Sequence, residues 1–215
     1  MRSDRLSLGF DTSAAHCAAA LLSGETLLAS AHQDMARGQA EALVPMLERV
    51  VKDGGVMWHD LDALAVGIGP GNFTGIRIAV ATARGLALAL QIPAIGVSVF
   101  DARATGLPHP LIVAEDARRG EVYLQGFGIG PEAPALMALD RLRLPPDVPL
   151  TGTAAEAVAA AYGNPLLPAR FGLAEGVARA GARKLDATPL PRPAPLYIRA
   201  ADAAPPSDQP PPLLP

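Results

Sequence analysis

Three short stretches of this sequence combine residue types and spacing that could do chemistry. Asp11-Thr12-Ser13 sets a carboxylate and two hydroxyls at what reads as the end of an apolar strand. Gly67-Ile68-Gly69-Pro70-Gly71-Asn72-Phe73-Thr74-Gly75 joins a second apolar strand to a long helix. Asp116-Ala117-Arg118-Arg119-Gly120 repeats the first arrangement later in the chain, with arginines in place of hydroxyls. A strand-end aspartate followed by small hydroxyl residues can hold a metal–nucleotide phosphate, and it also makes an ordinary Asx turn. Glycines ahead of a helix leave backbone N–H groups and the positive end of the helix dipole pointing the same way, toward an anion. Asp11, Thr12, Gly69 and Gly71 are therefore the candidate nucleotide or phosphate contacts. The same glycines serve equally for tight strand-to-helix packing. The stretch misses the specific fingerprints: G-x-G-x-x-G from Gly67 needs glycine where Asn72 stands, from Gly69 where Thr74 stands, and the P-loop lysine is missing. Arg118 and Arg119 could touch RNA phosphates or simply be solvated at a hairpin tip.

Other chemistries find little support. The histidines are His16, His32, His59 and His109; none pairs with another at i+3 or i+4, and no H-E-x-x-H occurs, so no metal site is expected. Cys17, the single cysteine, lies on a predicted strand and reads as buried packing. Ser98 in Gly96-Val97-Ser98-Val99-Phe100 lacks the last glycine of a nucleophile elbow and reads as a helix cap.

The elements that must position these residues follow from hydrophobic period and turn chemistry. Leu6–Phe10, His16–Leu22 and Glu25–Ala31 read as strands. Leu43, Met46, Leu47, Val50 and Val51 fall at helical spacing, with Gly54-Gly55 as the stop. Proline costs about 3 kcal/mol in a helix interior, so this helix either begins near Glu41 or kinks at Pro45. Leu61–Gly67 and Ala94–Val97 read as buried strands around a helix from about Thr74 to Leu90. A composition change at Gly106–Pro110 marks a boundary between a lobe of residues 1–105 and a smaller one of 106–200. Strand, acidic residue, turn and strand recur in 111–127 as in 6–22, which suggests two halves with one fold. Ala154–Tyr162 and Leu173–Lys184 suit alanine-rich helices. From Pro189 onward lie ten of the 22 prolines, so extended chain is expected, with Leu196-Tyr197-Ile198 docked and 201–215 a mobile tail.

The 74–90 helix carries only two charges, Arg77 and Arg84. A helix with almost no solvated face must be covered on nearly all sides. It is either a central core helix or a helix with one side against another chain. On the second reading Leu43, Met46, Leu47 and Val50 join Ile76, Val80 and Ala83 in a partner interface, with Arg77 and Arg84 pairing at its rim.

Composition bounds the rest. The chain has 215 residues, 50% of them apolar, enough for a real core. Net charge is −3, against the basic excess of a protein that binds nucleic acid over its whole surface. One cysteine suits a reducing compartment. The run from Ile78 to Leu90, broken by Arg84, is too short to span a bilayer, and a soluble cytoplasmic protein with no membrane contact is expected.

Together these residues resemble the bacterial tRNA threonylcarbamoyladenosine biosynthesis family TsaB, also called YeaZ. The resemblance rests on Gly9–Ser13, on Asp60–Ile78 with its G-P-G-x-F-T-G-x-R segment, on Ile92–Ser98, on Asp116–Tyr123 and on Pro195–Arg199. The sequence departs from the family where Gln39-Ala40-Glu41 replaces His-Ser-Glu and Asn72 replaces serine, and 128–186 matches little. The resemblance implies an α/β, two-lobed actin-like/Hsp70-like ATPase (ASKHA) fold with a reduced second lobe. It also implies a non-catalytic scaffold with no catalytic residues and no cofactor of its own. Such a scaffold pairs with the transferase paralogue TsaD through first-lobe helices, with the ATPase TsaE docking on the pair. ATP and a metal ion would sit on those partners, tRNA would be met through the complex, and a homodimer could use the same helices. The other readings are a stand-alone ATP-binding enzyme of this fold and a degenerate glycoprotease-type peptidase.

Overall fold

The computed structural model describes residues 4–130, 133–187 and 189–199; the expected mobile tail falls outside them. The first sheet is built on β1 (Leu6–Asp11), β2 (His16–Ser23) and β3 (Thr26–Asp34), an antiparallel meander. β4 (Ala63–Gly67) pairs with β1 in parallel and β5 (Ala94–Val97) pairs with β4 in parallel, giving the order β3-β2-β1-β4-β5. The second sheet follows the same plan. β6 (Leu111–Asp116), β7 (Glu121–Phe127) and β8 (Ala135–Ala138) form a meander, and β9 (Leu150–Thr151) pairs with β6 in parallel, in the order β8-β7-β6-β9. The echo between 6–22 and 111–127 is thus the same central hairpin in two sheets.

Both faces of the first sheet are covered, so β1 and β4 are buried at every position, and β4 reads as an unbroken apolar run. Leu6, Leu8 and Phe10 face the layer of α1 (Gln39–Asp53) and α2 (Phe73–Leu90). The opposite face meets α5 (Leu173–Lys184) and, beside it, α3 (Val99–Ala104), capped by Ser98 Oγ accepting from the Asp101 N–H at 3.0 Å. That layer is thin because small residues line it. A Cβ at Gly9 would come within 2.6 Å of Ala178, and one at Gly181 within 2.5 Å of the Ala65 side chain. The cut at 105/106 therefore separates the two sheets but not the helices: α5, from the later part of the chain, lies across the first sheet. On the second sheet, α4 (Ala155–Tyr162) packs its Ala155 and Val158 over Ile112 and Leu150.

α1 starts at Gln39 behind a left-handed Gly38, two residues ahead of the expected start, so Pro45 lies inside it on the exposed face.

The expected interface residues need correction. Leu43, Met46, Leu47, Val50, Ile76, Val80 and Ala83 are each at most 4% exposed within this chain alone. The apolar stripe that reads as surplus is the one that covers the sheet. The outward face of α2 is instead Arg77, Ala81, Arg84, Gly85, Leu88 and Ala89, with Leu88 82% exposed.

Burial separates adjacent positions of α2 sharply. Ala83→Glu is expected to cost about 3 kcal/mol or more by forcing a charge into the core. Ala81→Glu, on the open face, should stay within about 0.5 kcal/mol of the parent. Urea unfolding of the two variants checks both values.

Candidate functional site

The site foreseen between the β1–β2 turn and the glycine-rich turn exists, but backbone fills it. β1 delivers Asp11 with its side chain fully buried. Asp11 Oδ1 accepts from the Ser13 N–H and from Ser13 Oγ, both at 2.8 Å, and stands 2.9 Å from His16 Nε2. Asp11 Oδ2 has no hydrogen-bond partner among the described residues; it lies against Gly67, where a Cβ would stand 1.8 Å away. Thr12, also fully buried, donates its Oγ1 hydroxyl to the Gly75 carbonyl at 2.6 Å. The Asn72 N–H donates to the Ser13 carbonyl at 2.5 Å. A Cβ at Gly71 would come within 2.1 Å of the Ser13 oxygen and one at Gly75 within 1.9 Å of the Thr12 oxygen. Of the two uses weighed for these glycines, close packing is the one the geometry carries.

The first turn of α2 is likewise spent. Asn72 Oδ1 accepts from the N–H groups of Thr74 and Gly75, at 2.9 and 3.0 Å. The residue that departs from the family pattern thus makes the N-cap, a role Asn fills as well as Ser. Gly69 is buried, with a Cβ position 2.5 Å from Ile76 and 3.3 Å from the Leu196 carbonyl. Asp11, Thr12 and Gly69 are therefore out of reach of a ligand phosphate. Gly71 is exposed, but the carbonyl beneath it repels an anion. The donor set does not fit a metal–nucleotide phosphate.

Burial pushes the Cys17 thiol above its ordinary value, and the nearby Asp11 carboxylate adds to that. Among the described residues no three His, Cys, Asp or Glu side chains are grouped so as to hold a metal ion. In the second hairpin, Asp116 makes an Asx turn, Oδ1 accepting from the Arg118 N–H at 2.8 Å. Arg118 and Arg119 both sit exposed at positive φ, 61° and 55°.

Arg77 and Arg84, expected at a partner's rim, are held by the chain itself. Arg77 Nε donates to Tyr197 Oη and Arg84 Nε to the Pro193 carbonyl, each at 2.9 Å. Sequence reasoning missed the buried Glu115, which accepts from Arg103 Nε at 3.0 Å and from Thr153 Oγ1 at 2.8 Å and ties α3 to the second sheet. Its partners lie 12 and 38 residues away in the chain, so no local spacing announces them. An open cavity of about 340 Å³ lies between the first turns of α1 and α2, lined by Arg37, Gln39, Glu41, Thr74 and Ile78 among others.

Two sheets of the same meander-plus-parallel plan define a protein of the actin-like ATPase fold. Solved structures of that fold superpose on this chain at low identity. The activator of the 2-hydroxyisocaproyl-CoA dehydratase from Clostridium difficile, with bound ADPNP, gives a TM-score of 0.57 at 11% identity, covering 84% of this chain and 94% of that one. Far more similar is a Pseudomonas aeruginosa protein described as similar to peptidase YEAZ. It gives a TM-score of 0.72 at 28% identity over 91% of this chain and all of that one. A family model for TsaD, tRNA N6-adenosine threonylcarbamoyltransferase, matches residues 30–134. The tRNA threonylcarbamoyladenosine biosynthesis protein TsaB of Escherichia coli is 38% identical over 122 residues, 54% of this chain and 52% of that protein. An uncharacterized Mycobacterium tuberculosis protein is 36% identical over 174 residues, 79% of each chain. The chain belongs to the TsaB/YeaZ family. The match spans about half the length of the Escherichia coli relative.

Two tests follow from this packing. Gly75→Ala is expected to destabilise by at least about 2 kcal/mol. By contrast Gly85→Ala, with nothing within 4 Å of its Cβ position, should gain about 0.5–1 kcal/mol by helix propensity, both read by thermal unfolding. For Cys17 the folded thiol ionises at higher pH than the unfolded one. Its effect on stability is therefore nil below about pH 9.0 and turns unfavourable as pH rises past it, because the unfolded chain ionises first. Alkylation at pH 7 should accordingly leave Cys17 untouched until the chain is unfolded.

Proposed function

We propose that this chain is the non-catalytic subunit of an assembly that forms N6-threonylcarbamoyladenosine at position 37 of tRNAs reading A-starting codons. It pairs with a TsaD-like transferase, and a TsaE-like ATPase docks on the pair. ATP and metal ion belong to those partners, and tRNA is met through the complex in the cytoplasm. Without the partner the chain pairs with itself through the same face.

One observation carries the reading: backbone closes the phosphate end of the first lobe, while the helix beside it leaves apolar surface open. α2 is 18 residues long with a mean hydropathy of 1.4, yet its outward face holds Ala81, Gly85, Leu88 and Ala89 in water. Length and composition alone would let it cross a bilayer, but its inner stripe of Ile76, Ala79, Val80 and Ala83 is committed to this protein's core. Small residues on the outward face let a second helix approach closely. The TsaD model matches the segment that contains α1 and α2, so a transferase of that family offers homologous helices to pack against. Two like helix pairs meeting side by side can supply the ~1,600 Å² of an ordinary stable interface.

Leu88→Glu in the full chain should abolish co-purification with a TsaD-like partner while leaving the melting temperature within about 2 °C of the parent. The modified adenosine in tRNA, measured in cells whose own copy is replaced by this variant, should fall with it. Undiminished pairing by the variant, or ATP turnover by the isolated chain, would end the reading.

A further inference from the structure

The crevice outside the carboxyl ends of parallel strands is where open α/β sheets take their ligands. In this chain that ground is crossed by its own residues 193–199. The Leu196 N–H donates to the carbonyl of Ile68, the residue after β4, at 2.8 Å. The Pro193 Cα stands 3.5 Å from the Cβ position of Gly96 in β5. Arg199 Nη2 donates to the carbonyl of Ala117, the residue after β6, at 2.9 Å, and to Glu121 Oε2. Between these ends, Ile198 packs against the cluster of Phe100 and Tyr123 that α3 shares with the second sheet.

We propose that residues 193–199 are a built-in occupant of the crevice between the sheets, and that they hold the two lobes at one separation. Tyr197 is the lock. Its ring stacks on Phe73 with centroids 4.5 Å apart, and the Arg77 guanidinium lies 3.8 Å over the same Phe73 ring while its Nε bonds the tyrosine hydroxyl. A second bond, from Arg84 Nε to the Pro193 carbonyl, fastens the strap further along α2. On the first lobe these anchors lie in the glycine-rich turn, β5, α2 and, through Phe100, α3. On the second, the polar anchors are Ala117 in the β6–β7 turn and Glu121 at the start of β7. The strap thus does what a bound ligand does in a two-lobed fold: it touches both walls and sets their spacing. The inference stands whether or not α2 also receives a partner.

Amide hydrogen exchange on the full chain tests it, because Tyr197 is anchored on the first lobe and Arg199 on the second. Tyr197→Ala should raise exchange ~10-fold or more at Leu196 and at the 117–121 turn, with β1 and β2 unchanged. Arg199→Ala should do the reverse, raising exchange at Leu196 and in the first turn of α2. Tyr197→Phe keeps the stack and should retain most of the protection. A rise confined to 195–199 would make the strap a passive tail and overturn the proposal. A uniform rise that includes β1 and β2 would make it ordinary core and overturn it equally.

Discussion

The carbonyl oxygens of Thr12 and Ser13 press on the backbone at Gly75 and Gly71, with room at neither position for a single carbon more. Most of the first lobe's geometry descends from that contact. It sets the start of α2 against the end of β1, and the Thr12 hydroxyl bond to the Gly75 carbonyl fixes the depth. With the start fixed, the direction of α2 follows, and Ala79 and Ala83 descend onto the sheet while Ala81 and Leu88 turn away from it. The same contact removes the anion cradle. An anion needs N–H groups that point into open space, and here Asn72 Oδ1 accepts two of them while the Asn72 N–H itself is donated to Ser13. A site of this shape is a joint.

Asp11 shows how a charged residue is kept in such a joint. A fully buried carboxylate is costly unless its oxygens are satisfied. Oδ1 takes Ser13 twice and His16 once, an arrangement that turns a short loop into a rigid one. Oδ2 is held instead against the Cα of Gly67. A side chain at Gly67 would expel the carboxylate, so the last residue of β4 is as constrained as the glycines that follow it.

The elements were readable because each rests on local chemistry. Ser98 caps α3, the 6–22 hairpin and its echo at 111–127 form as their patterns require, and Leu196-Tyr197-Ile198 docks as the lone apolar cluster in a proline-rich stretch. What stayed hidden was non-local. Hydrophobic period says that α1 and α2 each have an apolar stripe, but not whether a sheet of the same chain or another protein covers it. The stripe of Leu43, Met46, Leu47 and Val50 went to the sheet. Likewise the alanines of α5 give good helix propensity without naming the surface they meet. Only the glycine at position 9 and the alanines of β2 and β4, seen from the other side, make that surface flat enough for a helix to lie on. β9 has two residues, too few for any pattern. Arg103, Glu115 and Thr153 come together only once both lobes exist.

Those non-local contacts tie the two lobes together. Two lobes that open and close around a ligand need a soft connection between them. Here α5 from the later part of the chain is sunk into the first sheet, the buried Glu115 joins α3 to the second, and the strap bonds Ile68 at one end and Ala117 at the other. Each link crosses the boundary at a different place, and a surface ordered in advance loses little conformational entropy when it is covered. The outward face of α2 is held from behind: its inner stripe is core, its N-terminus is capped by Asn72, and its two arginines are bonded to the strap.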